Sequence, residues 1–338
     1  MSKILVTGGL GYIGSHVVVE LIERGTEVII IDDLSNSYES VLGGIVGITG
    51  KRPTWEKVDI KDKAKLAAFF DTYGSFDGVI HFAASKSVGE SVADPMMYYQ
   101  NNVVGLLNLV EECLKSKTNN FIFSSSCTVY GEPNSLPICE KEPLKPATSP
   151  YGATKQMGEE ILKDMAKAKG LKTISLRYFN PVGAHSSGLI GELPLDTPQN
   201  LVPFVTQTAA GVHEKLTVFG NDYDTPDGSC IRDYIHVQDL ADAHIVALQY
   251  LSKSDEEYEV FNIGTGQGSS VLELIHSFEE VTGVKVPYEI GDRREGDLPN
   301  IYANPEKAIQ KLNWKTKLDM KQALKDAWRW ETSYRNKK

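Results

Sequence analysis

Tyr151 and Lys155 stand four residues apart in the run Ser149-Pro150-Tyr151-Gly-Ala-Thr-Lys155. Ser149 suits a helix N-cap and Pro150 the first helical position, so the phenol and the ammonium share one helix face. A phenol near pKa 10 is a poor base at pH 7. A neighbouring ammonium and a second cation would favour the phenolate. Lowering its pKa by about 3 units asks for roughly 4 kcal/mol, which two close positive charges in a poorly solvated cleft can supply. With 15 tyrosines in the chain, an ordinary surface helix gives the same spacing. A second set of hydroxyls ends the apolar run Phe121-Ile-Phe-Ser124-Ser125-Ser126. One of them can hydrogen-bond a substrate oxygen beside the phenolate and pass on its proton. Taken alone, three serines after a strand are more often turn formers.

The first residues carry a second pattern, that of an anion site. Ile4 to Val6 reads as a buried strand, Gly8, Gly9 and Gly11 as a sharp turn, and Ile13, Val17, Val18, Leu21 and Ile22 as one helix face, stopped at Gly25. Backbone amides and the helix dipole there would face a pyrophosphate. Gly11 would admit the phosphates and Gly14 the packing of the helix. Glu27 to Ile31 is a second strand ending at Asp32, 18 residues after Gly14. A carboxylate there can hold a ribose 2′-hydroxyl and would repel a 2′-phosphate, which reads as NAD rather than NADP. The plain alternative is that Asp32 and Asp33 end a strand in a turn.

The alternation continues with strands at Thr54 to Val58, Asp77 to Ala84, Asn120 to Ser124 and Thr173 to Arg177. Between them lie helices at Asp62 to Tyr73, Met96 to Lys115 and Ser149 to Lys169. That order implies a doubly wound parallel α/β sheet of the Rossmann type, with ligands outside the carboxyl ends of its strands. Beyond Asn180-Pro181 the pattern loosens: helices at Asn200 to Gly211, Val237 to Leu251, Ser270 to Thr282, Pro305 to Leu312 and Leu318 to Trp330, strands at Leu216 to Phe219 and Val260 to Ile263. The expected division is a dinucleotide domain over 1–180 and a smaller C-terminal α/β substrate domain over 181–338. The boundary is approximate, because the chain can thread back.

The 338 residues suit two such domains, and 41% hydrophobic with 24% charged residues is an ordinary globular composition. A net charge of −10 argues against nucleic acid as a partner. No apolar run approaches 18 residues, so no membrane span is expected. A strand from residue 4 leaves no room for a signal peptide. Cys113, Cys127, Cys139 and Cys230 have no metal spacing, which points to a reduced, cytoplasmic chain without a metal site.

Together TGGxGYIGS, Asp32, SSSxTVYG and YxxxK resemble the extended short-chain dehydrogenase/reductase family. His81 to Ser91, Tyr98 to Val103, Arg177 to His185, Arg232 to Ala241 and Arg294 to Pro299 extend the likeness, in order, to its UDP-glucose 4-epimerase branch. The resemblance implies retained NAD, Tyr151 as base, Ser126 bridging to the sugar 4′-hydroxyl, and Lys155 on the nicotinamide ribose. It implies dinucleotide contacts from Gly8, Gly11, Tyr12, Ile13, Gly14, Asp32, Asn36, Asp59, Ile60, Phe82, Lys86, Asn101 and Phe179, with Asp59 and Ile60 at the adenine. UDP-sugar contacts are implied for Lys86, Asn180, Asn200, Leu201, Phe219, Arg232, Arg294, Asp297 and Ile301. An Arg fork suits a diphosphate, and a carboxylate suits ribose hydroxyls.

The expected substrates are therefore UDP-glucose and UDP-galactose. Sugar-nucleotide dehydratases of the superfamily carry acidic residues after the catalytic hydroxyl, and this chain has Cys127 and Thr128. A non-catalytic nucleotide sensor would normally have lost Tyr151 or Lys155. In the family a bulky Tyr at the position of Ile301 confines the enzyme to unsubstituted hexoses, so Ile301 implies some leakage to UDP-N-acetyl sugars. A homodimer through the helices at Met96 to Lys115 and Ser149 to Lys169 is also implied.

Overall fold

The computed structural model describes residues 2–294 and 296–336. The order of elements is β1 (Lys3–Thr7), α1 (Tyr12–Glu23), β2 (Glu27–Asp32), α2 (Val41–Thr49), β3 (Thr54–Lys57), α3 (Lys63–Tyr73), β4 (Gly78–His81), α4 (Val88–Ala93), α5 (Pro95–Tyr98), α6 (Gly105–Ser116), β5 (Asn120–Ser126), α7 (Pro150–Lys169), β6 (Lys172–Tyr178) and β7 (Asn180–Val182). Then follow α8 (Leu201–Ala209), β8 (Leu216–Phe219), β9 (Ile231–Arg232), β10 (Tyr234–His236), α9 (Val237–Leu251), β11 (Tyr258–Ile263), β12 (Ser269–Ser270), α10 (Val271–Thr282), β13 (Tyr288–Gly291), β14 (Asn300–Ile301), α11 (Glu306–Leu312) and α12 (Met320–Arg335).

The chain forms two compact units. The first holds Met1–Gly131, Pro143–Tyr178 and Ala241–Phe261, and the second Glu132–Glu142, Phe179–Leu240 and Asn262–Lys338. The division is thus not one cut at residue 180. The segment 241–261 lies past that point and belongs to the first unit, while 132–142 lies before it and belongs to the second.

The first unit is built on a seven-stranded parallel sheet in the order β11-β6-β5-β4-β1-β2-β3. Successive strands run outward from β1 in both directions, so the topological switch lies between β1 and β4. Ile, Val and Phe fill these strands because both faces are covered by helices. Leu5, Ile29, Val79, Phe121 and Phe123 join Leu66, Phe69, Leu106 and Leu162 in one buried cluster. The second unit has smaller sheets, β10-β7, β12-β9-β14 and β13-β8. Its core joins Val205, Val218, Leu274, Phe278, Leu324 and neighbours. No described helix is long and apolar enough to cross a membrane.

Several expected elements shift. The strand expected over Asp77 to Ala84 covers only Gly78–His81: after Phe82 N–H donates to Thr7 O (3.0 Å) the chain leaves the sheet. The serines are strand rather than turn, because Ser124, Ser125 and Ser126 pair in register with Leu176, Arg177 and Tyr178. The helix expected over Met96 to Lys115 is α5 and α6 joined by a π-helical segment, Tyr99–Val104. Helix α2 had no signal in the sequence, since VLGGIVGIT mixes glycine with β-branched residues, all weak helix formers.

Candidate active site

The turn after β1 is shaped by what a side chain would collide with. Gly8 has φ +69°, and a Cβ on it would lie 2.8 Å from the Ala83 nitrogen. The loop after β1 thus passes close against the loop after β4, at the switch point. A Cβ on Gly14 would lie 2.2 Å from the Gly8 oxygen. What Gly14 admits is therefore the turn's own backbone rather than the strand. Gly11 occupies the N-cap position of α1 with no side-chain cap hydrogen bond, so the cap leaves the first turn, which opens with Tyr12 and Ile13, suited to an anion. Asp32 closes the rim. It is 6% exposed and accepts from Leu10 N–H (3.0 Å), Leu34 N–H (3.0 Å) and Ser37 Oγ (2.7 Å). Burial raises its carboxyl above the usual range, and these hydrogen bonds oppose that. A dinucleotide fits this cradle: a pyrophosphate needs the bare turn, and one Asp32 oxygen accepts a single bond from the protein.

Asp59 and Ile60 follow β3. Asp59 accepts from Lys61 N–H (2.8 Å), and buried Ile60 lies against the bare face of Gly105, whose Cβ would come within 2.6 Å of it. Asn108 Nδ2 donates to Ile60 O (3.0 Å), fixing the loop. Asn101 lies in the π-helical segment and donates to Ser85 Oγ (3.3 Å). Its neighbour Asn102, which sequence reasoning passed over, does more. It accepts from Ser85 N–H (2.9 Å) and donates to Ser85 O and Thr154 Oγ1 (both 3.0 Å), tying the loop after β4 to α7. Phe82 meets His244 at 4.7 Å with the rings tilted by 47°, while Asn36 and Lys86 stand on exposed loops. Phe179 is buried, its N–H on Ile263 O (3.2 Å).

Tyr151, Lys155 and Ser126 come together as expected. Ser149 caps α7 by accepting from Gly152 N–H (3.2 Å), with Pro150 leading the helix. Gly158 lets α7 lie close on β5, since a Cβ there would come within 2.7 Å of the Phe123 ring. Lys155 is 4% exposed; its Nζ donates to Ser124 O (2.7 Å) and sits 4.9 Å from the Phe123 ring centre and 5.9 Å from that of Tyr151. Burial brings its ammonium down to about 8, opposed by Glu159. Thr128 directs both its N–H (3.2 Å) and its hydroxyl (3.0 Å) at Ser126 Oγ. The Ser126 proton is then left for Tyr151, with which it is hydrogen-bonded. Thr128 in this orienting position was also missed, because the sequence shows its hydroxyl but not where it turns.

Without the second cation, the chain alone does not lower the Tyr151 phenol. Burial, with Tyr178 beside it, pushes the phenol well above its usual value, and only the Ser126 hydrogen bond works the other way. Lys155 alone does not offset the desolvation. His81 nearby is no help: burial and Lys155 push it down to about 3, so it is neutral and shares a proton with Thr7 Oγ1 (2.7 Å).

In the second unit Arg232, Arg294 and Asp297 converge. Asp297 receives Arg294 Nη2 (2.7 Å), Arg294 Nε (3.1 Å) and Arg232 Nη2 (3.4 Å). Arg232 also donates to Leu298 O (2.8 Å), and Ile301 is its register partner in β14. Phe219 ends β8 with 45% of its surface exposed and the Arg294 guanidinium 5.7 Å from its ring. Asn180 N–H donates to Asp233 O (2.9 Å). Asn200 and Leu201 open α8, where the Asn200 amide bonds Glu192 (2.6 Å). Missed here was buried Asp233, which accepts from Thr265 Oγ1 (2.6 Å), Thr265 N–H (2.8 Å), Gly266 N–H (3.1 Å) and Ala303 N–H (3.1 Å). Arg293, stacked 4.3 Å over Tyr223, was also missed.

A doubly wound sheet with an open phosphate cradle at its switch point and a Ser–Tyr–Lys cluster one strand away defines a nucleotide-dependent enzyme of the Rossmann class. A model of the NAD dependent epimerase/dehydratase family matches residues 4–264, and the chain belongs to that family. A UDP-glucose 4-epimerase of Yersinia enterocolitica is 50% identical over 330 residues, 97% of each chain. The solved UDP-glucose 4-epimerase of Stenotrophomonas maltophila, with bound NAD and formylated UDP-arabinopyranose, is 45% identical with a TM-score of 0.96 over 100% of both chains. That of Bifidobacterium longum, in complex with NAD+ and UDP, is 43% identical with a TM-score of 0.95 over 99% of both.

Proposed function

We propose that this chain interconverts UDP-glucose and UDP-galactose by oxidising the sugar at C4 and reducing it again on the other face. NAD, when bound, accepts the C4 hydride and returns it. The residues of the chain hold and move the proton. Thr128 fixes the Ser126 hydroxyl so that its proton points to Tyr151, and on binding the sugar 4′-hydroxyl replaces the Thr128 hydroxyl as a donor to Ser126. Tyr151 receives that proton through Ser126 and gives it back when the 4-keto sugar has turned over. The observation that carries the reading is this oriented Thr128–Ser126–Tyr151 chain beside a buried Lys155. Because burial disfavours the phenolate, Tyr151 becomes a base only when the cationic nicotinamide lies near it. Proton uptake by Tyr151 would therefore depend on a filled dinucleotide site.

Asp32 selects the ribose of NAD, and Asp59 with Ile60 borders its adenine. Asn36, Phe82, Lys86, Asn101 and Phe179 complete the dinucleotide contacts. In the second unit Arg232 and Arg294 neutralise the diphosphate, and Phe219 offers an aromatic platform for the base. Asp297 takes ribose hydroxyls. Asn180, Asn200, Leu201 and Lys86 complete the grip on the UDP-sugar. Ile301 borders the hexose and leaves a limited allowance for N-acetyl groups. The first unit is thus the dinucleotide domain and the second the UDP-sugar domain.

A homodimer is part of the same proposal. Val88, Val92, Met96, Val104, Leu107 and Met157 expose apolar surface on the helical segments of the first unit, Val92 and Met96 at 63% each. Sedimentation at twice 37.3 kDa is expected. The four free thiols suit a cytoplasmic protein.

The test is to denature the purified protein in acid, assay released dinucleotide, and follow UDP-galactose turnover with no added cofactor. About one dinucleotide per chain and turnover without NADH accumulation are expected. Net NADH release, or no turnover of the loaded protein, overturns the reading. In the same assay UDP-N-acetylgalactosamine should turn over more slowly than UDP-galactose and gain in Ile301→Ser; no N-acetyl turnover even in that variant removes the assignment of Ile301.

A further inference from the structure

Behind the site, on the side of β5 that faces α7, lies a second charged group of residues. Glu159 and Arg177 are 2% and 5% exposed. Arg177 grips the Glu159 carboxylate with both arms, Nε to Oε1 at 2.9 Å and Nη2 to Oε2 at 2.5 Å. Ser125 Oγ adds a third bond to Oε1 (2.6 Å), and the guanidinium lies 4.8 Å over the Tyr130 ring. Ser125 and Arg177 are register partners on adjacent strands, so both turn the same way, toward α7. Burying two ions is expensive, and apolar residues of similar volume would pack this contact at least as well. The arrangement therefore invites a reason beyond stability.

Its place supplies one. Each part of the group is chained to a residue of the site. Ser125 lies between Ser124, whose carbonyl holds Lys155, and Ser126. Tyr130 closes the turn Cys127–Tyr130 that carries Thr128. Glu159 lies one helical turn after Lys155 on the same face of α7. It is the carboxylate whose field favours the Lys155 ammonium. The other groups around Lys155 give no such field. His81 on β4 is neutral, Tyr151 and Tyr178 are held protonated by burial, and Glu90 on α4 is engaged by Tyr98 on α5 (2.7 Å). The π-helical segment beside α7 carries no charged residue. With no Arg177, the Ser125 hydroxyl alone would restrain Glu159 from turning to the nearest cation, and Lys155 would be drawn toward it and off Ser124.

We propose that Glu159 and Arg177 are positioning residues for Lys155. The carboxylate keeps the lysine charged in a dry site, and the guanidinium keeps the carboxylate from capturing it. The proposal rests on the function given above, in which Lys155 acts as an ammonium beside Tyr151.

The experiment is the pH profile of kcat for wild type, Glu159→Gln, Arg177→Met and the double variant, each as NAD-loaded protein. Activity that needs charged Lys155 falls as pH rises through its titration. Glu159→Gln removes the supporting charge, so the alkaline limb should move down by about one unit. Arg177→Met leaves Glu159 uncompensated, so the limb should move up by about one unit while kcat falls. The double variant should return the limb toward wild type, and Arg177→Lys should largely restore it. Limbs that stay where wild type has them, or that move the same way in both single variants, overturn the proposal and leave the pair as packing. Should Arg177→Met fail to fold, Glu159→Gln decides alone, since its carboxamide still bonds Ser125 and Arg177; an unmoved limb then overturns the proposal. An inactive wild type would overturn the parent reading instead.

Discussion

The two units hold their charged and reactive groups in opposite ways. In the first, Lys155, Tyr151, Asp32 and Ser126 are each less than a tenth exposed and fastened by strands and a capped helix. Their positions are set before any ligand arrives, which is what a chemical step requires. In the second, Arg294 and Asp297 sit in the loop before β14 and satisfy one another, with 59% of the Arg294 side chain open to solvent. Such a group can exchange one partner for another at small cost, as binding and release of a diphosphate require. On the roles proposed above, rigidity marks the groups that react, and mutual pairing marks the groups that grip and release the diphosphate.

The largest test of that contrast is Tyr151→Phe. Loss of the acid–base group should lower kcat by about 10³ to 10⁴-fold with KM for UDP-galactose changed little. A steady-state comparison at pH 8 checks this, and a variant retaining a tenth of the activity would place the base elsewhere. Next comes the pH dependence of stability. In the dinucleotide-free protein burial brings Lys155 from 10.5 to about 8. Between those values the unfolded chain holds a proton that the folded chain has lost, so stability rises with pH across that window. Against Lys155→Met, wild type should gain up to roughly 3 kcal/mol from pH 8 to 10.5 in urea denaturation. A constant difference would mean that the lysine is not desolvated. Smaller again is Arg232→Met in the second unit. Removing one charge-assisted contact should raise KM by roughly 10- to 100-fold and leave kcat within a few fold. A matching fall in kcat would break the contrast, since a gripping residue would then be acting on the reacting atoms.

The same contrast explains what could be read from the chain. Strands such as Glu27–Asp32 and the helix Pro150–Lys169 carry apolar residues, a terminal acid or a cap, so their ends and the candidate residues they hold were visible together. Residues that act through their orientation were not. Thr128 is one hydroxyl among several until its turn aims it at Ser126, and Asn102 is indistinguishable from Asn101 until a π-helical segment turns one inward. Arg293 and Asp233 lie among turns and two-residue strands, where no period distinguishes a ligand-facing residue from a strut. The desolvation of Tyr151 was out of reach for a related reason. Spacing shows which charges are near, but desolvation depends on everything else that covers the ring.

The smallest effect separates the units most cleanly, because the same chemistry occurs in both. Ser149 caps α7 in the first unit, and Ser270 caps α10 in the second as part of a capping box with Glu273. Either serine changed to alanine should lower stability by about 1 kcal/mol. Their consequences for catalysis should differ. Tyr151 is the second residue of α7, so a frayed first turn moves the phenol against Ser126, and Ser149→Ala should lower kcat several-fold. The first turn of α10 carries no reactive residue, so Ser270→Ala should leave kcat unchanged at equal loss of stability. Denaturation curves and kcat measured on the two proteins decide the matter. If equal destabilisation gave equal loss of kcat, activity would follow global stability, and the rigid fastening of the first unit would have no separate catalytic role.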